Sequence, residues 1–122
     1  MLRSMMQVYI KESNKAIAFY QHAFNAKILC NYTHDNGLVA HAELDIYGQV
    51  FALAETDQDS ITTGDTMQFC LHFGEGKEAV VQHIYEALKE GAEIIHPINS
   101  CIYSPLMFDL IDKFKVRWCV FV

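Results

Sequence analysis

The sequence predicts an α+β fold made of two copies of a strand–helix–three-strand (βαβββ) module, and three observations carry that prediction. The segment Met6-Gln7-Val8-Tyr9-Ile10 recurs as Met67-Gln68-Phe69-Cys70-Leu71, and both alternate in the manner of a half-buried strand. Each copy runs into a stretch with apolar residues at helical spacing. Each helix then stops on a residue that tolerates left-handed backbone, in Asn25-Ala26-Lys27-Ile28-Leu29 and in Gly91-Ala92-Glu93-Ile94-Ile95.

The elements follow in order. The first helix is expected over about Ser13 to Phe24, with the Ser13 hydroxyl as N-cap and a stripe of Ala16, Ile17, Tyr20, Ala23 and Phe24. Three strands follow, at about Lys27–Thr33, Leu38–Ile46 and Gln49–Glu55, with turns at Gly37 and Tyr47-Gly48. The polar stretch Thr56 to Asp65 reads as a linker. The second helix is expected over about Lys77 to Glu90, with Val80, Ile84, Ala87 and Leu88 as its stripe. Three more strands follow, at about Ala92–Ile98, Pro105–Ile111 and Arg117–Val122. The chain is thus a single domain over residues 1–122, with module one at about 5–56, a linker at about 57–65 and module two at about 66–122. A four-stranded sheet with its helix on one face leaves the other face bare. Two such sheets are expected to form a curved mixed sheet around a cleft that holds a small molecule.

Composition bounds the function. The chain has 122 residues, 52% of them hydrophobic, which suffices for a core without staples. Nine basic against fifteen acidic residues give a net charge of −6 and no cluster of Lys and Arg. Phosphate backbones and anionic membrane surfaces are repelled, so no nucleic acid and no membrane partner is expected. No apolar run reaches the length of a membrane span, and the start lacks a long apolar signal core. A cytoplasmic location is expected, with Cys30, Cys70, Cys101 and Cys119 as free thiols.

Several residues could carry chemistry. His41 and Glu43 alternate with Ala40, Ala42 and Leu44, which places Val39, His41, Glu43 and Asp45 on the open face of their strand. An imidazole beside a carboxylate is an acid–base pair, and the competing reading is a solvated strand face. Arg117 and Cys119 share the face opposite Trp118. There Arg117 could clamp a carboxylate or phosphate through its planar fork. Cys119 as a nucleophile would need an adjacent base, and none is evident. His22, His34 and His83 read as surface residues, and His72 and His96 as structural. The Phe residues supply core and cavity walls. There is no GxGxxG, no GxxxxGK[ST] and no HExxH.

Three further segments resemble a known group. Ile17-Ala18-Phe19-Tyr20 with Ala23-Phe24-Asn25-Ala26 is similar to the first-helix pattern "AixFYxxaFGA". His41-Ala42-Glu43-Leu44 is similar to the "HaeL" of the third strand. Ser104-Pro105 through Asp112-Lys113-Phe114 and Val116-Arg117-Trp118 is similar to the closing "SPfyGsltDkFGvrW". Together they resemble the PhnB-like branch of the vicinal oxygen chelate superfamily, which includes glyoxalases, bleomycin-resistance proteins and dioxygenases. The branch is sometimes labelled with ubiquinone-pathway methyl transfer. With no Gly-rich loop after a strand to hold a methyl donor, that activity is not expected.

The resemblance implies paired βαβββ modules, usually in a homodimer. It also implies a divalent metal on side chains from the first and last strand of each module. Those positions fall within Met5 to Gln7, at Ala52, within Thr66 to Gln68 and at Cys119. Ala52 offers no donor, Gln7 and Gln68 offer weak neutral oxygens, and Cys119 cannot hold an ion alone. Lys115 stands where the family's "DkFG" turn has Gly, which strains the turn if it needs a positive φ.

The sequence therefore points to a protein that binds a small organic molecule without a metal or other cofactor. Gln7, His41, Glu43, Gln68, Arg117 and Cys119 are its ligand-binding candidates, and His41, Glu43 and Cys119 the only catalytic ones. One alternative is a metal-dependent isomerase, lyase or dioxygenase with a non-standard site on His41, Glu43 and Cys119. Another is a dimeric interaction module with no ligand of its own. The last strand is expected to be buried by dimerisation, because an apolar strand left as an edge invites aggregation.

Overall fold

Both expected helices form, the first over its predicted span and the second over a shorter one, and each covers one face of a four-stranded sheet. The computed structural model describes residues 1–122, which divide into two compact units, Met1–Ile61 and Thr62–Val122.

In the first unit β1 (Met6–Ile10), α1 (Ser13–Phe24), β2 (Lys27–Thr33), β3 (Val39–Ile46) and β4 (Gln49–Glu55) give the sheet order β1-β4-β3-β2. β1 runs parallel to β4, and the other pairs are antiparallel. The β3–β4 hairpin closes through Tyr47 and Gly48 at φ 55° and 89°, the two left-handed positions of a tight hairpin turn. All five stripe residues of α1 are buried, and Tyr20 meets Phe51 of β4 edge to face at 5.0 Å. Asn25 ends α1 at φ 49°, and the Ala26 N–H returns to the Gln21 carbonyl at 3.2 Å.

Two expectations fail at the start of α1. Ser13 is not the N-cap: Glu12 holds that position at φ 56°, and no side chain of the cap residue closes the helix. The Glu55 carboxylate does so from β4, accepting from the Glu12 and Ser13 N–H groups at 3.1 and 2.8 Å. The Ser13 hydroxyl instead accepts from the Val39 N–H at 3.2 Å. Val39, expected on the open face, is fully buried, and the β2–β3 register shifts beside it, between Tyr32 and Thr33.

In the second unit β5 (Phe69–His72), α2 (Glu78–Leu88), β6 (Glu93–Cys101), β7 (Ser104–Ile111) and β8 (Arg117–Phe121) give the order β5-β8-β7-β6. α2 is shorter than its pattern suggests, and its buried face runs through Val81, Ile84 and Leu88. Val80 and Ala87 are only half-buried, so the expected stripe is corrected there. Gly91, at φ 71°, matches Asn25 in the first unit. β8 lies between β5 and β7 rather than at an edge, so its burial needs no partner chain.

The turn before β8 is organised by Asp112, which is 1% exposed. Its carboxylate accepts from the Phe114 and Val116 N–H groups at 2.8 and 3.1 Å and from Trp118 Nε1 at 2.9 Å. Lys115 sits in this turn at φ 72°, the strained geometry its sequence implied.

The ladders also correct the internal repeat. Gln7 lies opposite Ala52, but it is Cys70, not Gln68, that lies opposite Cys119. The first strand of the second unit is therefore offset by two residues from its sequence match. A shift of two preserves the face, so Gln68 still looks out on the open side.

Candidate functional site

In the first unit the helix takes Phe51, Leu53, Ala42 and Leu44, so the opposite face presents Gln7, Tyr9, Ala52, His41 and Glu43. Glu43 is 7% exposed and is the hub of this face. Arg3, from the segment before β1, donates Nη1 to its Oε2 at 2.8 Å and Nη2 to its Oε1 at 2.7 Å. His41 Nε2 lies 3.0 Å from the same Oε1. The Arg3 and His41 hydrogen bonds, Arg3 first, hold the Glu43 carboxyl down to about 2 against an ordinary value of 4.5. The cross-strand neighbour of Glu43 is Cys30 of β2. The Cys30, His41 and Glu43 donor atoms all lie within 4.8 Å of one another. Gln7 is exposed and donates its amide to the Tyr9 hydroxyl at 3.1 Å.

In the second unit the open face carries a cavity of about 540 Å³. Gln68, Asn99, Tyr103, Met107, Asp109 and Cys119 are among its walls, with His96 and Ser100. Two residues expected at a ligand site, Gln68 and Cys119, are thus brought together. Arg117 is not in the wall. Its guanidinium holds both oxygens of Asp109, through Nε at 3.2 Å and Nη2 at 3.0 Å. It serves as the countercharge of a cavity carboxylate rather than as an open clamp.

Cys119 is buried, and burial pushes its thiol up. The Tyr103 hydroxyl lies 3.8 Å from its sulfur, and that hydrogen bond, aided by burial, pushes the phenol up to about 12. A phenol held neutral is no base for a thiol held neutral, so the pair is not an activated nucleophile.

The first- and last-strand positions implied for a metal do not fit one. Ala52, directly opposite Gln7, has no donor atom. Gln7 is a neutral amide already bonded to Tyr9. Cys119 holds its proton, and the neighbouring Asp109 is neutralised by Arg117.

Sequence reasoning missed three residues of these faces. Arg3 reaches Glu43 across 40 residues, and no local pattern announces it. Cys30 reads as a small apolar residue until the β2–β3 register is known. His96, read as structural, faces Asp109 across the β6–β7 ladder on the cavity wall.

Residues 4–120 match the family model of the Glyoxalase/Bleomycin resistance protein/Dioxygenase superfamily. No curated protein matches the chain. Among solved structures, the PhnB protein from Bacillus cereus superposes with a TM-score of 0.83 at 20% identity, covering 98% of each chain. Protein PA1353 from Pseudomonas aeruginosa gives 0.78 at 14% identity, covering 99% of this chain and 97% of that one. A mutant of the fosfomycin resistance protein FosX from Listeria monocytogenes, complexed with Mn(II) and 1S,2S-dihydroxypropylphosphonic acid, gives 0.72 at 18% identity, covering 98% and 90%. These likenesses establish the fold.

Proposed function

The chain belongs to the glyoxalase/bleomycin resistance protein/dioxygenase superfamily, and we propose that it acts there as a binding protein for a small organic molecule, held without a metal in the cavity of its second module. The cavity carries this reading. Its volume of about 540 Å³ suits a ligand of modest size, and its wall mixes apolar surface with a few convergent polar groups.

The wall also favours a ligand class. Gln68 and Asn99 offer amide donors and acceptors, and Tyr103 and Met107 offer flat and adaptable apolar contact. Asp109 and Arg117 cancel each other's charge. A neutral molecule with an apolar body and several hydrogen-bonding groups matches this set best. Homodimerisation and a cytoplasmic location belong to the same proposal. The exposed Ile28, Leu29 and Tyr32 on edge strand β2 support the first, and four unpaired cysteines support the second. No helix is long and apolar enough to cross a membrane.

Native mass spectrometry of freshly purified protein tests both occupancy and assembly, and an adduct of small organic mass is expected. Compounds from a neutral-ligand panel should then raise the melting temperature of the wild type. Ligand at about a hundred times its Kd stabilises by roughly 2.7 kcal/mol. Ser100→Trp fills the cavity from an exposed wall position and should abolish that rise while leaving the unliganded melt nearly unchanged. An equal rise in both proteins would place binding elsewhere and overturn the proposal.

A further inference from the structure

The open face of the first unit holds a second constellation, one strand away from the positions where the family resemblance implies a metal. We propose that Cys30, His41 and Glu43 form a site for a thiophilic divalent cation of the zinc class, closed in the metal-free protein by Arg3.

The donor set is the first argument. A thiolate, an imidazole and a carboxylate are the three ligand types zinc takes, and the sulfur selects against magnesium and calcium. Cys30 and Glu43 together supply two negative charges, which cancel those of the ion.

Spacing is the second. His41 and Glu43 sit two apart on β3, so both project from one face, and Cys30 lies directly across from Glu43 on β2. Two ligands of one tetrahedral zinc, at about 2.0–2.2 Å from the ion, stand roughly 3.3–3.5 Å apart. His41 Nε2 and Glu43 Oε1 already stand at 3.0 Å. The sulfur, which needs roughly 3.6 Å to each ligand atom, is within 4.8 Å of a ring nitrogen of His41 and a carboxylate oxygen of Glu43. A small turn of the Cys30 side chain closes the triangle. Solvent or a bound molecule takes the fourth place.

Arg3 is the third. Its guanidinium neutralises Glu43 where the ion would, but it stands outside any strand or helix, with its side chain 47% exposed. Its counterpart in the second unit, Arg117, is anchored in β8 with its side chain 21% exposed. Arg3 can return to water when an ion arrives, and Arg117 cannot leave without disturbing its strand. Binding thus releases one proton from the Cys30 thiol to solvent. It forms bonds to sulfur, nitrogen and oxygen and frees the Arg3 side chain.

Cobalt(II) reports on such a site directly, since a thiolate ligand produces a charge-transfer band in the near ultraviolet. Added to the full chain with a phosphine reductant, cobalt should saturate the band at one equivalent. Cys30→Ser, at a half-buried position, should remove the band. His41→Ala and Glu43→Gln should weaken cobalt binding by at least about tenfold. Arg3→Ala should tighten it roughly two- to fivefold, the range expected from losing a part-exposed ion-pair competitor. No band, a band that survives Cys30→Ser, or a band that follows Cys119 instead overturns the proposal. Ser100→Trp does not touch these residues, so failure of the cavity reading and failure of this one are separable.

Discussion

Glu43 and Asp109 occupy the same rung of their two sheets: Glu43 lies opposite Ala52 on the last strand of its module, and Asp109 lies opposite Cys119 on the last strand of its own. Each carboxylate is gripped by both oxygens by one arginine. Both modules place a buried acid on this rung, and its countercharge comes from two different places, the segment before β1 and β8 itself.

The first consequence concerns pH. The Glu43 carboxyl is held at about 2 in the folded protein, below its ordinary 4.5, chiefly by its hydrogen bond to Arg3. A depressed carboxylate contributes stability that is complete above the unfolded value and is lost as pH falls toward the folded one. Urea midpoints of the wild type and of Glu43→Gln should therefore differ by a constant amount above about pH 5 and converge between about pH 4.5 and 2. A difference that persists at pH 2 would show that Glu43 acts through shape rather than charge.

How far this site was legible follows from the range of the interactions. The span of α1 and the matched stops at Asn25 and Gly91 could be read because they depend on spacing within a turn or two of chain. The face carrying His41 and Glu43 could be read because alternation along a strand is local. The cap of α1 could not, since Glu55 reaches Glu12 across 43 residues through the parallel β1–β4 pairing. The offset of β5 escaped for a related reason. A two-residue slide keeps every side chain on its face, so the pattern Met67 to Leu71 fits either register, and only β8 chooses between them. Arg3 and Cys30 were hidden because their roles exist only after strands far apart in sequence have paired.

Asp112 supports a prediction about the closing turn. Removing its side chain in Asp112→Ala leaves the Phe114 and Val116 N–H groups and Trp118 Nε1 without their acceptor, all in a buried setting. Each stranded donor costs about 1–3 kcal/mol, so a loss of about 3–5 kcal/mol is expected, allowing for partial rescue by water. Equilibrium unfolding in urea measures it. Trp118→Phe, which loses the indole donor and some volume but leaves the two backbone bonds, should cost less than Asp112→Ala.

Lys115 gives a prediction of opposite sign. At φ 72° a side chain is strained, whereas glycine takes the same backbone freely. Lys115→Gly should raise stability by about 0.5–1 kcal/mol, the relief of strain being partly offset by the greater freedom of glycine in the unfolded chain. An unchanged m-value should accompany the shift of midpoint. Lys113→Gly, in the same turn and without a positive φ, should be neutral or destabilising, which separates conformational relief from loss of charge.

The thiols supply the last test, because the four cysteines differ in access and Cys119 differs in chemistry as well. Cys70 is exposed, Cys30 and Cys101 are half-buried, and Cys119 is buried. Burial also pushes the Cys119 thiol up, so at mildly alkaline pH it presents little thiolate, the only reactive form. Alkylation with iodoacetamide, followed by peptide mass mapping, should label Cys70 first and Cys119 last. The partner phenol should respond in turn. Tyr103 is pushed up to about 12 mainly by its hydrogen bond to Cys119, so Cys119→Ala should bring its ultraviolet titration back toward the ordinary 10. If Cys119 were labelled early and Tyr103 were unmoved by its loss, the sulfur would be an exposed nucleophile and the cavity wall a reactive one.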